Sequence, residues 1–186
     1  FLPENKSSFL PYSIGGHGFD PILPSLNGPL KILHAPTNRE AKGSDYLFSA
    51  LDRLSKSHGN CFNLTLVENV SNDKAMELYK LADVVVDQLL IGWYGGFAVE
   101  AMLLGKPVIV RIAADDLHFI PEDMASQLNY SVINSDQNSI YDSLVWCLEN
   151  RAELRRIGEA GVEYARRWHE PQYVASITKE FYEKMY

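Results

Sequence analysis

A chain of 186 residues, 46% hydrophobic and 22% charged, has room for one substantial core and no second full domain. Its formal net charge of −7 excludes a general nucleic-acid binder, which needs a basic surface to neutralise phosphates. No apolar run approaches the roughly 18 residues that a membrane-crossing helix requires.

The first residue is Phe1 rather than Met, which predicts a start inside a longer polypeptide, and no basic-then-apolar signal peptide follows. Cys61 and Cys147 are expected as free thiols of a reducing compartment, so the expected location is the cytoplasm. The sequons at Asn63-Leu64-Thr65 and Asn69-Val70-Ser71 are read as chance tripeptides. Residues 1–29 hold prolines at 3, 11, 21, 24 and 29 and glycines at 15, 16 and 18, which predicts an irregular lead-in or linker. The run Gly15-Gly16-His17-Gly18 suggests a phosphate loop, but Phe19-Asp20-Pro21 denies it the helix start such a loop needs. It is read as a plain loop.

From Leu30 the pattern is regular. Residues 30–35 predict a strand, and 45–57 a helix with Leu47, Leu51 and Leu54 on one face. Residues 62–67 alternate as a strand, and 72–82 form a helix capped by Ser71 or Asn72. A strand at 84–87 precedes a helix at 97–104, halted by Gly105 and Pro107. Strands follow at 108–112 and 131–133, with no element assigned between them, then helices at 139–149 and 151–168 and a last one opened by Pro171. Strands alternating with helices predict an α/β fold, a Rossmann-like parallel sheet flanked by helices. Such sheets bind ligands beyond the carboxyl ends of their strands, where the strand order switches, so the residues after each strand are the candidates.

After the first strand, Arg39 and Lys42 stand close enough in sequence to serve one diphosphate, and Gly43 lets the chain turn closely into the next helix. Taken alone, the same loop reads as solvated, incidental charge. Gly95 and Gly96 precede a helix, whose amides and dipole suit an anion, and Glu100 lies one turn further in, where a carboxylate can accept from ribose hydroxyls. An isolated Glu there would only answer the helix dipole; three convergent loops favour one anionic ligand. Trp93 and Tyr94 either stack on a sugar or base or pack the crevice wall. His34 is expected as a packed histidine, and Asp115-Asp116-Leu117-His118 as a solvated loop rather than a metal site. Arg155-Arg156 and Arg166-Arg167 are expected on solvated helix faces, with membrane-surface contact the minority reading.

Three blocks in order carry a family resemblance. The segment from His34-Ala35-Pro36-Thr37-Asn38-Arg39 through Lys42-Gly43-Ser44-Asp45-Tyr46 resembles the first strand and phosphate loop of retaining GT-B glycosyltransferases of family four. Leu78-Tyr79-Lys80-Leu81-Ala82-Asp83-Val84-Val85-Val86-Asp87-Gln88 is similar to the stretch leading into that family's donor site. Gly95-Gly96-Phe97-Ala98-Val99-Glu100-Ala101-Met102 and the following Leu103-Leu104-Gly105-Lys106-Pro107 resemble its signature helix. The resemblance implies that Arg39 and Lys42 bind the donor diphosphate and stabilise its charge as the sugar leaves. It gives the ribose to Glu100, phosphate or sugar to Gly95 and Gly96, with Tyr94 and Phe97 beside them, and the nucleobase to Glu68, Asn69 and Val70.

The resemblance further implies metal-independent transfer from a nucleotide sugar, a UDP-sugar first and a GDP-sugar as the alternative, to a glycan, lipid-linked or small-molecule acceptor. Residues 30–186 would then be the donor-binding domain, with Val174, Ile177 and Phe181 on a helix crossing back toward an N-terminal acceptor domain. Residues 1–29 would be the interdomain segment, and this part alone would catalyse little. Peripheral membrane contact would come through the full enzyme. Two departures stand out: Gly92 occupies the place of the family's acidic residue eight positions before Glu100, and the spacing from Arg39 to Lys42 is shorter than the family's. Asp87, Gln88 and Tyr94 are the candidates to cover the missing acid. A sugar-nucleotide epimerase half, told apart by a free epimer as product, and a non-catalytic nucleotide-binding module, told apart by indifference to diphosphate over monophosphate, are the alternatives.

Overall fold

The computed structural model describes residues 9–15 and 18–185; residues 1–8, Gly16, His17 and Tyr186 lie outside the described residues, including part of the glycine run and Pro3. The elements are β1 (Leu30–His34), a helical turn α1 (Arg39–Lys42), α2 (Ser44–His58), β2 (Phe62–Leu66), α3 (Asn72–Lys80), β3 (Val84–Val86) and α4 (Gly96–Leu103). There follow β4 (Val108–Val110), a 3₁₀ segment (Ala114–Phe119), α5 (Glu122–Ser131), β5 (Ile133–Asn134), α6 (Ile140–Glu149), α7 (Arg151–Trp168) and α8 (Pro171–Met185). The five strands are parallel in the order β2-β1-β3-β4-β5, with Ile32 opposite Val84 and Val85 opposite Val108. This is the α/β Rossmann-like sheet that the alternation predicts.

Alternate residues of the central strands feed two cores, because side chains in a strand point to opposite faces. Leu33, Val85, Val108 and Val110 meet α4, α5 and α7 through Met102, Leu128 and Tyr164. Ile32, Val84, Val86 and Ile109 meet α2 and α6 through Leu47, Leu54 and Leu144. Both faces of β3 and β4 are therefore covered, which is why they read as unbroken β-branched runs rather than alternating ones. β2 is an edge strand and Leu64 stays 37% exposed, so its alternation does not mark a buried face.

Gly105 takes φ +73° directly after α4 and stops it, as its position predicts. Two local expectations need correction. Ser131, expected to open a strand, ends α5, and the paired residues are Ile133 and Asn134. Met124 and Leu128, one turn apart and fully buried, supply the helical period that the stretch before Ser131 carries. Arg155 is half-buried rather than solvated; it donates to the Pro24 carbonyl at 3.3 Å. Arg156 pairs with Glu153, and Arg167 with Asp123, on the surface.

The described lead-in forms no helix or strand, yet its later part is fastened to the domain. Buried Asp83 accepts from the Ser25 amide at 2.8 Å, the Lys31 amide at 3.0 Å and Arg151 at 3.1 Å. Lys106, 1% exposed, donates to the carbonyls of Ile22 and Lys80, and burial brings its pKa down to about 8. Cys61 and Cys147 are free, and burial pushes the Cys147 thiol up to about 12, which makes it unreactive.

Candidate functional site

The strand order reverses between β1 and β3, so the loops leaving these neighbours diverge and leave a crevice at their carboxyl ends. Asn38 starts α1 by accepting from the Ala41 amide at 2.9 Å. Gly43 then turns the chain into α2 with φ +74°, and a Cβ there would stand 3.2 Å from Leu90 and 3.3 Å from Leu89. Only glycine satisfies both demands at this point. The Leu89 amide donates to the Lys42 carbonyl at 3.1 Å, which stitches the β1 exit to the β3 exit.

His34 is the packed strut that its place at the end of a buried strand predicts. A carbonyl only accepts, so Nδ1 donates to Val86 at 2.8 Å and Nε2 accepts from the Ser44 hydroxyl at 2.8 Å. Burial holds its pKa below the ordinary value, and the ring joins β1, β3 and the start of α2.

These contacts aim Lys42 inward. Its ammonium forms an ion pair with Oδ1 of Asp87, whose side chain is wholly buried, and Oδ2 of Asp87 accepts from the Gly95 amide at 3.2 Å. Gly95 caps α4, whose first amides lack intrahelical partners by the geometry of any helix start. The same helix carries Glu100, half-buried, with burial raising its carboxyl above the usual range. Tyr79 on α3 ties the set together. Burial first, then the charges of Glu100 and Asp87, push its phenol up to about 12. Lys42 and the Gly95 amide meet at Asp87, and Glu100 follows on the helix that Gly95 caps.

Arg39 is turned to the other loop. Its Nε and Nη2 donate to the two carboxylate oxygens of Glu68 at 2.7 and 2.5 Å, and it lies over the Phe48 ring at 5.7 Å. The hydrogen bond to Arg39 holds the Glu68 carboxyl below the ordinary value. This pair borders a cleft of about 610 Å³ lined by Pro36, Thr37, Asn69, Val70, Ala75 and Tyr79. Asn69 has φ +54°, a region that Asn tolerates better than most side chains, and lines this cleft.

Trp93 and Tyr94 pack the wall. Tyr94 is 7% exposed, with its hydroxyl between Tyr164 at 2.7 Å and His169 Nε2 at 3.1 Å, while Trp93 stacks on it. His169 Nδ1 donates to the Tyr12 carbonyl at 2.6 Å, which fixes Nε2 as acceptor. Phe97 meets Tyr79 edge-on at 4.9 Å. The Tyr12 ring covers Gly96, 3.2 Å from where a Cβ would be, and bounds a small cavity of about 180 Å³ with Phe9 and Trp93. Gly92 runs so close to Ala113 that a Cβ would lie 2.7 Å from that methyl, so no acidic side chain fits there without a backbone shift. Of its expected substitutes, Asp87 has both oxygens engaged, Gln88 donates to the Trp93 carbonyl, and Tyr94 is taken up as above. Among the described residues, no group of three or more His, Cys, Asp or Glu side chains is placed to hold a metal ion, the Asp115, Asp116 and His118 loop included.

No family model matches this chain, and no curated protein sequence matches it. Solved structures do. A sucrose-phosphate synthase from Thermosynechococcus elongatus aligns at 18% identity over 95% of this chain and 52% of its own, with a TM-score of 0.65. A glycosyltransferase from Rickettsia africae aligns at 14% identity over 98% of this chain and 58% of its own, with a TM-score of 0.70. The Anabaena protein HepE, solved with UDP-glucose, aligns at 16% identity over 85% and 49%, with a TM-score of 0.56. The likeness establishes the fold, an α/β Rossmann-like domain of the kind these structures contain. The chain spans about half the length of these structures.

Proposed function

We propose that residues 30–186 form the C-terminal, donor-binding domain of a retaining glycosyltransferase of family four, which holds the nucleoside diphosphate of an activated sugar. The observation that carries this reading is the neighbourhood of Lys42, the α4 N-terminus and Glu100 at the switch between β1 and β3. The ammonium and the α4 amides suit the diphosphate, Glu100 suits the ribose hydroxyls, and the cleft beside Asn69 and Val70 is large enough for a base. In this arrangement Lys42 and the helix amides offset the charge that grows on the leaving diphosphate, an electrostatic role that requires no metal. Both cations are already paired, Arg39 with Glu68 and Lys42 with Asp87, but Lys42 shares its partner with the α4 N-terminus, which makes it the principal cation of this reading. Residues 1–29 connect to an N-terminal acceptor domain that supplies the other wall, in a cytoplasmic enzyme touching membranes at most peripherally. The solved UDP-glucose complex of HepE favours a UDP-sugar as donor.

The ribose assignment has its own test. A hydrogen bond to a charged acceptor contributes about 1.5–3 kcal/mol, so the chain is expected to bind a nucleoside diphosphate about 10- to 100-fold more tightly than its 2′-deoxy analogue. Glu100→Ala should erase that preference in calorimetric titrations. A preference that survives the substitution removes Glu100 from the ribose site.

A further inference from the structure

Asp87 stands where a ligand's negative charge is expected. Its place is fixed by the Asp87 amide, which donates to the Ile109 carbonyl at 2.9 Å and extends the β3 ladder into the crevice. Its side chain is wholly buried, one oxygen on the Lys42 ammonium and the other 3.2 Å from the Gly95 amide. Those are the two groups that a phosphate's non-bridging oxygens would use, and a carboxylate matches them in charge and in lone-pair geometry.

A purely structural role accounts poorly for this choice. A buried ion pair loses hydration on both sides, and well-packed apolar residues of similar size commonly hold a fold as well or better. A fixed negative charge does become useful when an anion has to arrive and also leave. We propose that Asp87 is a positioning residue acting as an internal counter-anion of the diphosphate site. While the site is empty, it keeps the Lys42 side chain and the first α4 amide in place. When the site is filled, its like charge weakens the hold on the nucleoside diphosphate, so that the product is released after transfer. This inference rests on the donor-binding reading and goes beyond it by giving the buried acid a part in the binding cycle.

Asp87→Asn keeps the shape and one accepting oxygen for the Gly95 amide, while the lost charge and second acceptor free the Lys42 ammonium for a phosphate. The variant is expected to bind UDP or GDP about tenfold more tightly or better, since a like charge has been withdrawn from a site shielded from water, with no change for uridine or guanosine. Damage to the fold would weaken binding, so a gain specific to the diphosphate is not what a structural lesion produces. Asp87→Glu, which keeps the charge, should show no such gain. Equal or weaker UDP binding by a folded Asp87→Asn chain overturns the inference. Should that variant not fold, the native chain provides the readout by nuclear magnetic resonance. Saturating UDP, but not uridine, should move both the Asp87 carboxyl carbon and the Gly95 amide signals; both signals unmoved would overturn the inference equally. A native chain that binds no nucleoside diphosphate at all refutes the donor-binding reading itself, which separates the two failures.

Discussion

Lys42→Ala is expected to lower both stability and diphosphate affinity, by different amounts for different ligands. The substitution leaves the Asp87 carboxylate, 0% exposed, with the Gly95 amide as its one remaining partner among the described residues. Breaking a buried pair from one side costs about 3–5 kcal/mol. For a domain of this size, that lowers the melting temperature by about 10 °C. The ligand effect is separate. Loss of one charge-assisted hydrogen bond reduces affinity for UDP by about 10- to 100-fold, while uridine, which carries no phosphate, should bind as before. Thermal melts and paired titrations measure the two effects independently. Equal losses for UDP and uridine would mean that Lys42 serves the fold and not the phosphate.

Gly158→Ala is expected to be the largest disturbance away from the crevice. Gly158 on α7 packs against the turn after α4, and a Cβ there would lie 2.4 Å from the Gly105 carbonyl oxygen and 3.4 Å from Leu23. That oxygen cannot retreat freely. Gly105 holds φ +73°, its amide donates to Met102, and the next amide donates to Ala101. Relieving the contact requires α7 to shift against α4, and overpacking of this kind costs about 3 kcal/mol, or roughly 6–12 °C in melting temperature. Gly105 precedes β4, at the opposite end of the sheet from the crevice, so nucleotide affinity measured well below the transition should hardly change. A variant that melts with the native chain would show that the helices are not packed as described.

Much of the fold was legible because it is written in local periods. Leu47, Leu51 and Leu54 mark the buried face of α2, and the valines at 84–86 mark a strand covered on both sides. Gly105 marks the end of α4. The stretch at 122–131 was not legible, since polar residues surround Met124 and Leu128 and dilute the period. In the candidate site, the sequence singles out Arg39, Lys42, Gly95 and Glu100 as residues following strands, but it does not reveal the partners of the two cations. Glu68 lies 29 residues from Arg39 and Asp87 lies 45 from Lys42, so only the strand order brings them together. The same limit hid the closeness of Gly92 to Ala113, and with it the reason why an acidic residue is excluded there. Lys106 looks like a surface lysine in sequence. It is buried because the lead-in supplies the Ile22 carbonyl.

The most direct measurement is a crystal structure of this chain soaked or grown with UDP. The account predicts ribose hydroxyls on the Glu100 carboxylate, phosphate oxygens between the Lys42 ammonium and the amides of Gly95 and Gly96, and the base in the cleft beside Asn69 and Val70. Nucleotide bound on another face, or phosphates seated out of reach of Lys42 with Glu100 left in solvent, would contradict it.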